Sequence, residues 1–213
     1  MHRTIIVGSP RVDGRCAALA NEIFESCIDE CPDDGVSVVA VSSVDVSPCI
    51  GCNACESALS KDDARYPEIP EKGDPLAQNS LVFKSDSNAH QCVIEDEMSE
   101  VRKHIDAADE VIVVSPVYFS GAPSQLKALL DRLQPYFYSN IRSRTKSRRP
   151  LTLHVVREGG NPFGFEALEN VVRSALGVAG FKMERILDWM GCFDENDQIV
   201  AEPSEAMKEQ DAK

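Results

Sequence analysis

The sequence predicts an α/β fold: a parallel sheet covered by helices on both faces. Short β-branched runs alternate along the chain with amphipathic stretches of helical period. The run at residues 110–115, Glu-Val-Ile-Val-Val-Ser, is continuously apolar, as a strand buried on both sides must be. Strands separated by helices are joined by right-handed crossovers, which set neighbouring strands parallel.

Residues 4–8 form a short buried strand that runs directly into a loop. From residue 14 to 31, Ala18, Leu19, Ile23, Phe24, Cys27 and Ile28 fall on one helical stripe. Residues 36–41 are β-branched and read as a second strand, and 110–115 as the third. Residues 124–137 carry Leu126, Leu129, Leu130 and Leu133 on one face and read as a single helix. A fourth strand over 150–156, a helix over 165–179 closing near Gly180, and a fifth strand over 182–187 complete the alternation. Residues 56–91 break it. They are polar, rich in Pro and Ser, and too long for an ordinary connection, so they read as an insertion, a lid or a dimer arm. The chain is read as one domain, 1–193, followed by an acidic tail, 194–213, expected at the surface or frayed.

A chain of 213 residues with 43% hydrophobic residues has enough material for one sizeable core. Lys plus Arg number 22 against 35 Asp plus Glu, and a net charge of −13 repels phosphate backbones and anionic lipid. Aromatics are 6%, too few for a base-stacking platform, so nucleic-acid and membrane roles are disfavoured. The first apolar run, Ile5-Ile6-Val7, is far shorter than a secretory signal, and no run approaches a membrane span. A cytoplasmic location is expected, with the eight cysteines as thiols or metal ligands rather than disulfides.

The loop Gly8-Ser9-Pro10-Arg11-Val12-Asp13-Gly14-Arg15-Cys16 lies where open parallel sheets collect ligands, beyond the carboxyl end of a strand. It presents backbone N–H groups at a helix N-terminus, a hydroxyl on Ser9, and the charges of Arg11 and Arg15: a phosphate cradle. It is not a Walker loop, since five residues separate its glycines and Arg-Cys follows. It is not a dinucleotide fingerprint, since Pro10 stands where the second glycine would be. The plainer reading is a βα turn with solvated arginines. At the end of the third strand, Pro116 stops the run, Val117, Tyr118 and Phe119 follow, and Gly121 precedes a helix. Two aromatics there make an apolar wall for a planar ring, or else plug the core. The two loops together describe a site for a mononucleotide with a flat, redox-capable base.

On Gly8-Ser9-Pro10-Arg11, Ser115-Pro116-Val117-Tyr118-Phe119 and Leu126-Lys127-Ala128-Leu129-Leu130-Asp131-Arg132, the chain resembles the NADPH-dependent FMN reductase family of the flavodoxin-like superfamily, especially members close to iron–sulfur flavoproteins. The resemblance covers residues 3–187 apart from the insertion. It implies a flavodoxin-like three-layer sandwich, with a five-stranded parallel sheet in the order 2-1-3-4-5, and a homodimer or homotetramer. It also implies FMN at the strand ends, its phosphate on Ser9, Arg11, Gly14, Arg15 and Cys16, and its ring flanked by Pro116, Val117, Tyr118, Phe119 and Gly121. Family members usually carry Asn and then Thr or Ser where this chain has Arg15 and Cys16. Because a thiol is a weak donor, phosphate binding here leans on backbone and guanidinium.

Cys49, Cys52 and Cys55 form Cys-x2-Cys-x2-Cys, and the resemblance supplies Cys92 as a fourth sulfur. The set suits a [4Fe-4S] cluster, a zinc ion with His90 as an alternative ligand, or plain thiols. Cys16, Cys27, Cys31 and Cys192 sit on helical or strand patterns and read as small buried hydrophobes. The glycine-rich turn 157–164 shares the ligand rim. The basic run Arg142, Arg144, Lys146, Arg148, Arg149 reads as a solvated loop, a clasp to a second subunit, or a grip on a nicotinamide nucleotide's phosphate. His154, mid-strand, reads as a hydrogen-bonded core residue. The expected activity is FMN-dependent transfer of electrons from NADPH or NADH to a small acceptor such as a quinone or free flavin. Amides near Tyr118–Gly121 would support the charged ring, and no side-chain acid or base is required. Two other readings stand beside it: an iron–sulfur electron carrier between protein partners, and a thiol-based redox sensor.

Overall fold

The structure, a computed structural model, describes residues 1–57, 92–138, 148–159 and 162–206. In chain order they form β1 (His2–Val7), α1 (Arg15–Glu30), β2 (Gly35–Ala40), α2 (Ala54–Ser57), α3 (Met98–Ala107), β3 (Glu110–Pro116), α4 (Ser124–Asp131), α5 (Gln134–Tyr138), β4 (Arg149–Val156), α6 (Glu166–Val178), β5 (Phe181–Asp188) and β6 (Ser204–Glu205). The sheet order is β2-β1-β3-β4-β5-β6. The first five strands are parallel in the expected 2-1-3-4-5 order, and β6 adds to β5 in the antiparallel sense. Insertion residues 58–91, and Arg142, Arg144 and Lys146 of the basic run, lie outside the described residues. Among the described residues no helix is long and apolar enough to cross a membrane.

Alternation along the strands sorts the core into two layers. Ile6, Val111, Val113, Leu151, Leu153 and Val155 meet α3, α4 and α6 on one face. Ile5, Val7, Ile112, Val114 and Val156 meet Cys16, Leu19 and Ala20 of α1 on the other. Trp189 and Cys192, just after β5, cover the rest of that second face. His154 is buried there, its Nδ1 accepting the indole N–H of Trp189 at 3.0 Å, as expected of a core histidine.

The structure corrects two readings, of residues 124–137 and of Cys27 and Cys31, and adds two elements, α3 and β6. Residues 124–137 are two helices, because the ring of Pro135 would clash with the carbonyl four residues earlier, that of Asp131, where α4 ends. Helix α3 supplies the crossover from β2 to β3, anchored by only Met98, Val101 and Ile105 in an otherwise polar segment. The sheet does not stop at five strands: the Ala206 N–H reaches the Ile186 carbonyl at 2.9 Å and holds β6 on the edge, so the described part of the tail is docked. Cys27 and Cys31 are only half-buried, unlike Cys16 and Cys192.

Arg149, the member of the basic run that opens β4, has a structural task. Its guanidinium donates to the carbonyls of Ile105, Asp106, Ala108 and Ala179 and lies 4.0 Å from the centroid of the Phe181 ring.

Candidate functional site

At the carboxyl ends of β1, β3 and β4 three loops surround a cleft of about 900 Å³. The β1 loop can approach the sheet closely because Gly8 has no side chain. A Cβ there would stand 2.6 Å from Leu126 Cδ2 and 3.1 Å from Ser115 Oγ. Gly14, at φ 96°, turns the chain into α1, which has no side-chain cap and no acid in its first turn. Ala17 and Ala18 already donate to the Gly14 carbonyl at 3.0 Å, which leaves the Arg15 and Cys16 amides, both of cleft-lining residues, without intrahelical partners at the positive end of the helix dipole.

Ser9, Arg11, Gly14, Arg15 and Cys16 all line this cleft, and so do Pro116, Val117, Tyr118 and Phe119. Ser9 is buried, its hydroxyl oxygen accepting the Arg11 N–H at 3.2 Å. The Arg11 guanidinium is exposed and makes no ion pair among the described residues. Arg15 differs: it pairs with Glu158 and, through Nε at 2.9 Å, with Asp197, so two carboxylates share its charge. Cys16 is packed into the second core layer, and burial pushes its thiol up to about 12, Arg11 only partly opposing this. It is a protonated, space-filling residue.

Tyr118 and Phe119 are not core plugs: Phe119 is fully exposed and Tyr118 41% exposed. They lie on a tight turn in which the Tyr118 and Gly121 amides donate to each other's carbonyls at 3.0 and 2.9 Å. Phe119 (φ 50°) and Ser120 (φ 67°) occupy the left-handed region, a conformation that costs a bulky residue energy and collects at functional sites. Gly121 closes this turn and does not line the cleft; Ser120 does. Two of the amides expected to face a ring are thus consumed within the turn. From the β4 loop Arg157, Glu158, Gly159, Pro162 and Phe163 complete the wall. Arg157 is held by Asp188 through bonds of 3.0 and 2.6 Å. Asp13 and Asp197 also line the cleft and went unread in the sequence; Asp197 arrives from the tail, and nothing local to it signals that.

Cys49, Cys52, Cys55 and Cys92 line a second cavity, of about 350 Å³, with Ile50, Ile94, Arg132 and Pro135. Cys49 and Cys52 are exposed, Cys55 and Cys92 half-buried. Burial pushes the Cys55 thiol up, and the other three sulfurs add to the effect. Among the described residues no three His, Cys, Asp or Glu side chains are already gathered at one ion position. The floor is Arg132, 1% exposed, which forks onto Asp96 at 2.6 and 3.0 Å. Burial pushes the Asp96 carboxyl up, but Arg132 and the amides of Ser47 and Met98 more than offset it and hold it below the usual carboxylate range.

An iron-sulfur flavoprotein of Methanocaldococcus jannaschii is 29% identical over 167 residues, 78% of this chain and 68% of the relative. An iron-sulfur flavoprotein of Methanosarcina thermophila is 29% identical over 162 residues, 75% of this chain and 66% of the relative. The chain thus spans about two thirds of these relatives' length. Among solved structures, an azoreductase from Bacillus anthracis matches with a TM-score of 0.55 at 14% identity, over 89% of this chain and 86% of that one. An FMN-dependent NADH-azoreductase from Bacillus anthracis, in complex with FMN, matches with a TM-score of 0.53 at 13% identity, over 92% and 91%. These two likenesses concern the fold. The family model for NADPH-dependent FMN reductases matches residues 1–183, the stretch that carries β1 to β4 and the start of β5 together with both rims of the cleft, and the chain belongs to that family.

Proposed function

We propose that the chain is an FMN-dependent NAD(P)H oxidoreductase, with FMN in the cleft at the ends of β1, β3 and β4. The observation that carries this reading is the shared cleft. A cation, Arg11, that makes no ion pair among the described residues and an uncapped helix start lie on one rim, and exposed aromatics on a strained turn lie on the other. That donor set fits a phosphorylated planar ring. FMN bound there would supply the chemistry of hydride and electron transfer between a nicotinamide and a small acceptor such as a quinone or free flavin.

The chain's own part is to bind and orient. Ser9 and the first amides of α1 hold the phosphate, and Arg11 neutralises it. Arg15 contributes less, because Glu158 and Asp197 already share its charge. Val117, Tyr118 and Phe119 offer the ring a face, and Pro116 fixes where the strand gives way to that loop. The Tyr118 and Gly121 amides keep the turn closed and so hold both aromatics toward the cleft. Phe163, opposite, narrows the mouth against water. At about 900 Å³ the cleft lies at the upper end of small-molecule sites, which leaves space for a second planar reactant beside the ring.

A second reading, an iron–sulfur flavoprotein-type electron carrier, is favoured by the four cysteines on one cavity. Soft thiolates suit a [4Fe-4S] cluster, and an acidic body suits docking to basic redox partners. Assembly into a homodimer or homotetramer belongs to the same proposal. The test is the visible spectrum of protein purified without oxygen. A flavin spectrum bleached by NADPH or NADH, and restored by a quinone at many turnovers per chain, supports the reductase. Broad brown absorbance with iron and sulfide, and negligible turnover, supports the carrier. Colourless protein that takes up no FMN overturns both.

A further inference from the structure

Two separate loops bring the four cysteines to their cavity: residues 47–55, after β2, and residues 92–96, before α3. Just outside them the Glu97 amide donates to the Asp45 carbonyl at 3.1 Å and the Asp45 amide to Glu97 Oε2 at 2.5 Å, and a side chain from neither segment adds a further tie. Arg132, at the end of α4, donates from Nη1 to the Ser47 carbonyl at 2.8 Å and to Asp96 Oδ2 at 2.6 Å. From Nη2 it donates to the Ile94 carbonyl at 3.2 Å and to Asp96 Oδ1 at 3.0 Å. Asp96 returns the link, accepting the Ser47 amide at 2.9 Å. One guanidinium thus ties the Ser47 and Ile94 carbonyls and Asp96 together, beyond the direct bonds that pair the two stems at Asp45–Glu97 and Ser47–Asp96. Both partners are nearly sealed from water, with side-chain exposures of 1% and 5%, so the geometry is held where the bonds are strong.

A second observation is independent of the first. The Arg132 Nε–H is buried and has no hydrogen-bond partner among the described residues. A buried N–H is costly to leave unused, and natural structures leave few. Arg132 itself lines the cysteine cavity, and the Cys92 sulfur lies close enough to favour its charge. Four thiolates, with or without a metal group, make an anionic site. A fixed cation with one spare donor on the wall of such a site is the arrangement by which outer residues orient and tune sulfur ligands.

We propose that Arg132 is the positioning residue of the four-cysteine cavity: it locks the loop carrying Cys49, Cys52 and Cys55 against the loop carrying Cys92, and gives its unpartnered Nε–H to the sulfur-bound anion held there. The donor half rests on the cluster reading above. The locking half stands whether or not iron is bound.

The experiment compares wild type with Arg132→Met and Arg132→Lys, each as full-length protein, with FMN titration reporting that the cleft is intact. The first readout is cross-linking by dibromobimane in iron-free protein, mapped by mass spectrometry. Wild type joins Cys92 to one of Cys49, Cys52 or Cys55; the Met variant loses at least tenfold of that product, and the Lys variant, which keeps charge but not the fork, about threefold. Should the Met variant fail to fold, the Lys variant decides. Cross-linking equal to wild type in a folded variant overturns the locking. The second readout is iron and sulfide per chain after reconstitution, with the midpoint potential. The loaded Lys variant is expected about 60 mV lower, a tenfold change in a one-electron equilibrium; an unchanged potential overturns the donor role. Wild type that binds no iron, yet cross-links in an Arg132-dependent way, overturns the cluster reading and the donor role and supports the locking.

Discussion

Arg11 and Arg15 are four residues apart on one loop, yet they are not equivalent. Among the described residues Arg11 makes no ion pair, whereas Arg15 is shared between Glu158 and Asp197. A charge-assisted hydrogen bond is worth about 1.5–3 kcal/mol. Arg11→Ala is therefore expected to weaken FMN binding by roughly ten- to a hundredfold, with little change in melting temperature, because the side chain is exposed. Arg15→Ala costs less affinity, about threefold, since part of its charge is already spent; isothermal titration distinguishes the two. His154 gives a prediction about stability instead. Burial, with the Arg185 charge adding to it, pushes its pKa down to about 4 from 6.5. Between those values the unfolded chain binds a proton that the native chain refuses. The contribution is complete above pH 6.5 and is lost as the pH falls toward 4, by about 3 kcal/mol. The urea midpoint of wild type should fall over that range, and that of His154→Gln should fall less. At this scale the sequence was informative where chemistry is local. Ser9, Arg11, Tyr118 and Phe119 could be found because they follow strands directly. Asp197 could not, because its place in the cleft depends on a fold-back of the tail that no pattern near it announces.

The turn from Tyr118 to Gly121 holds two successive non-glycine residues at positive φ. Phe119 at φ 50° and full exposure has neither a favourable backbone nor a buried side chain to compensate. Asn tolerates that conformation far better. Phe119→Asn is thus expected to stabilise the protein by about 1 kcal/mol while raising KM for a planar acceptor several-fold. A variant both less stable and fully active would show that the turn serves neither purpose. Elements with dense apolar periods were legible: the five parallel strands and α1 fall within a few residues of their expected bounds. Those that rest on few anchors were not. Helix α3 buries only Met98, Val101 and Ile105, and β6 is a two-residue edge of Ser and Glu that exists through pairing alone. The break between α4 and α5 was readable in principle, from Pro135 and the carbonyl it would strike. It matters, because it leaves Arg132 at a helix end, where its guanidinium reaches both cysteine-bearing loops.

At the scale of the molecule, the sheet order fixes the site. Strands β1 and β3 are neighbours, and the chain leaves them toward opposite faces, so their loops part and leave a crevice at the strand ends. The crossovers that put α1 on one face and α4 on the other thereby separate a charged rim from an aromatic one. In the function proposed above, both rims hold one molecule of FMN. Titrating flavin-free protein with FMN, following the quenching of flavin fluorescence, tests it most directly. Saturation is expected at one FMN per chain, with affinity reduced by Arg11→Ala and, separately, by Tyr118→Ala, while both variants stay folded. Wild-type protein that leaves the fluorescence of added FMN unquenched, or tight binding indifferent to both substitutions, would contradict it.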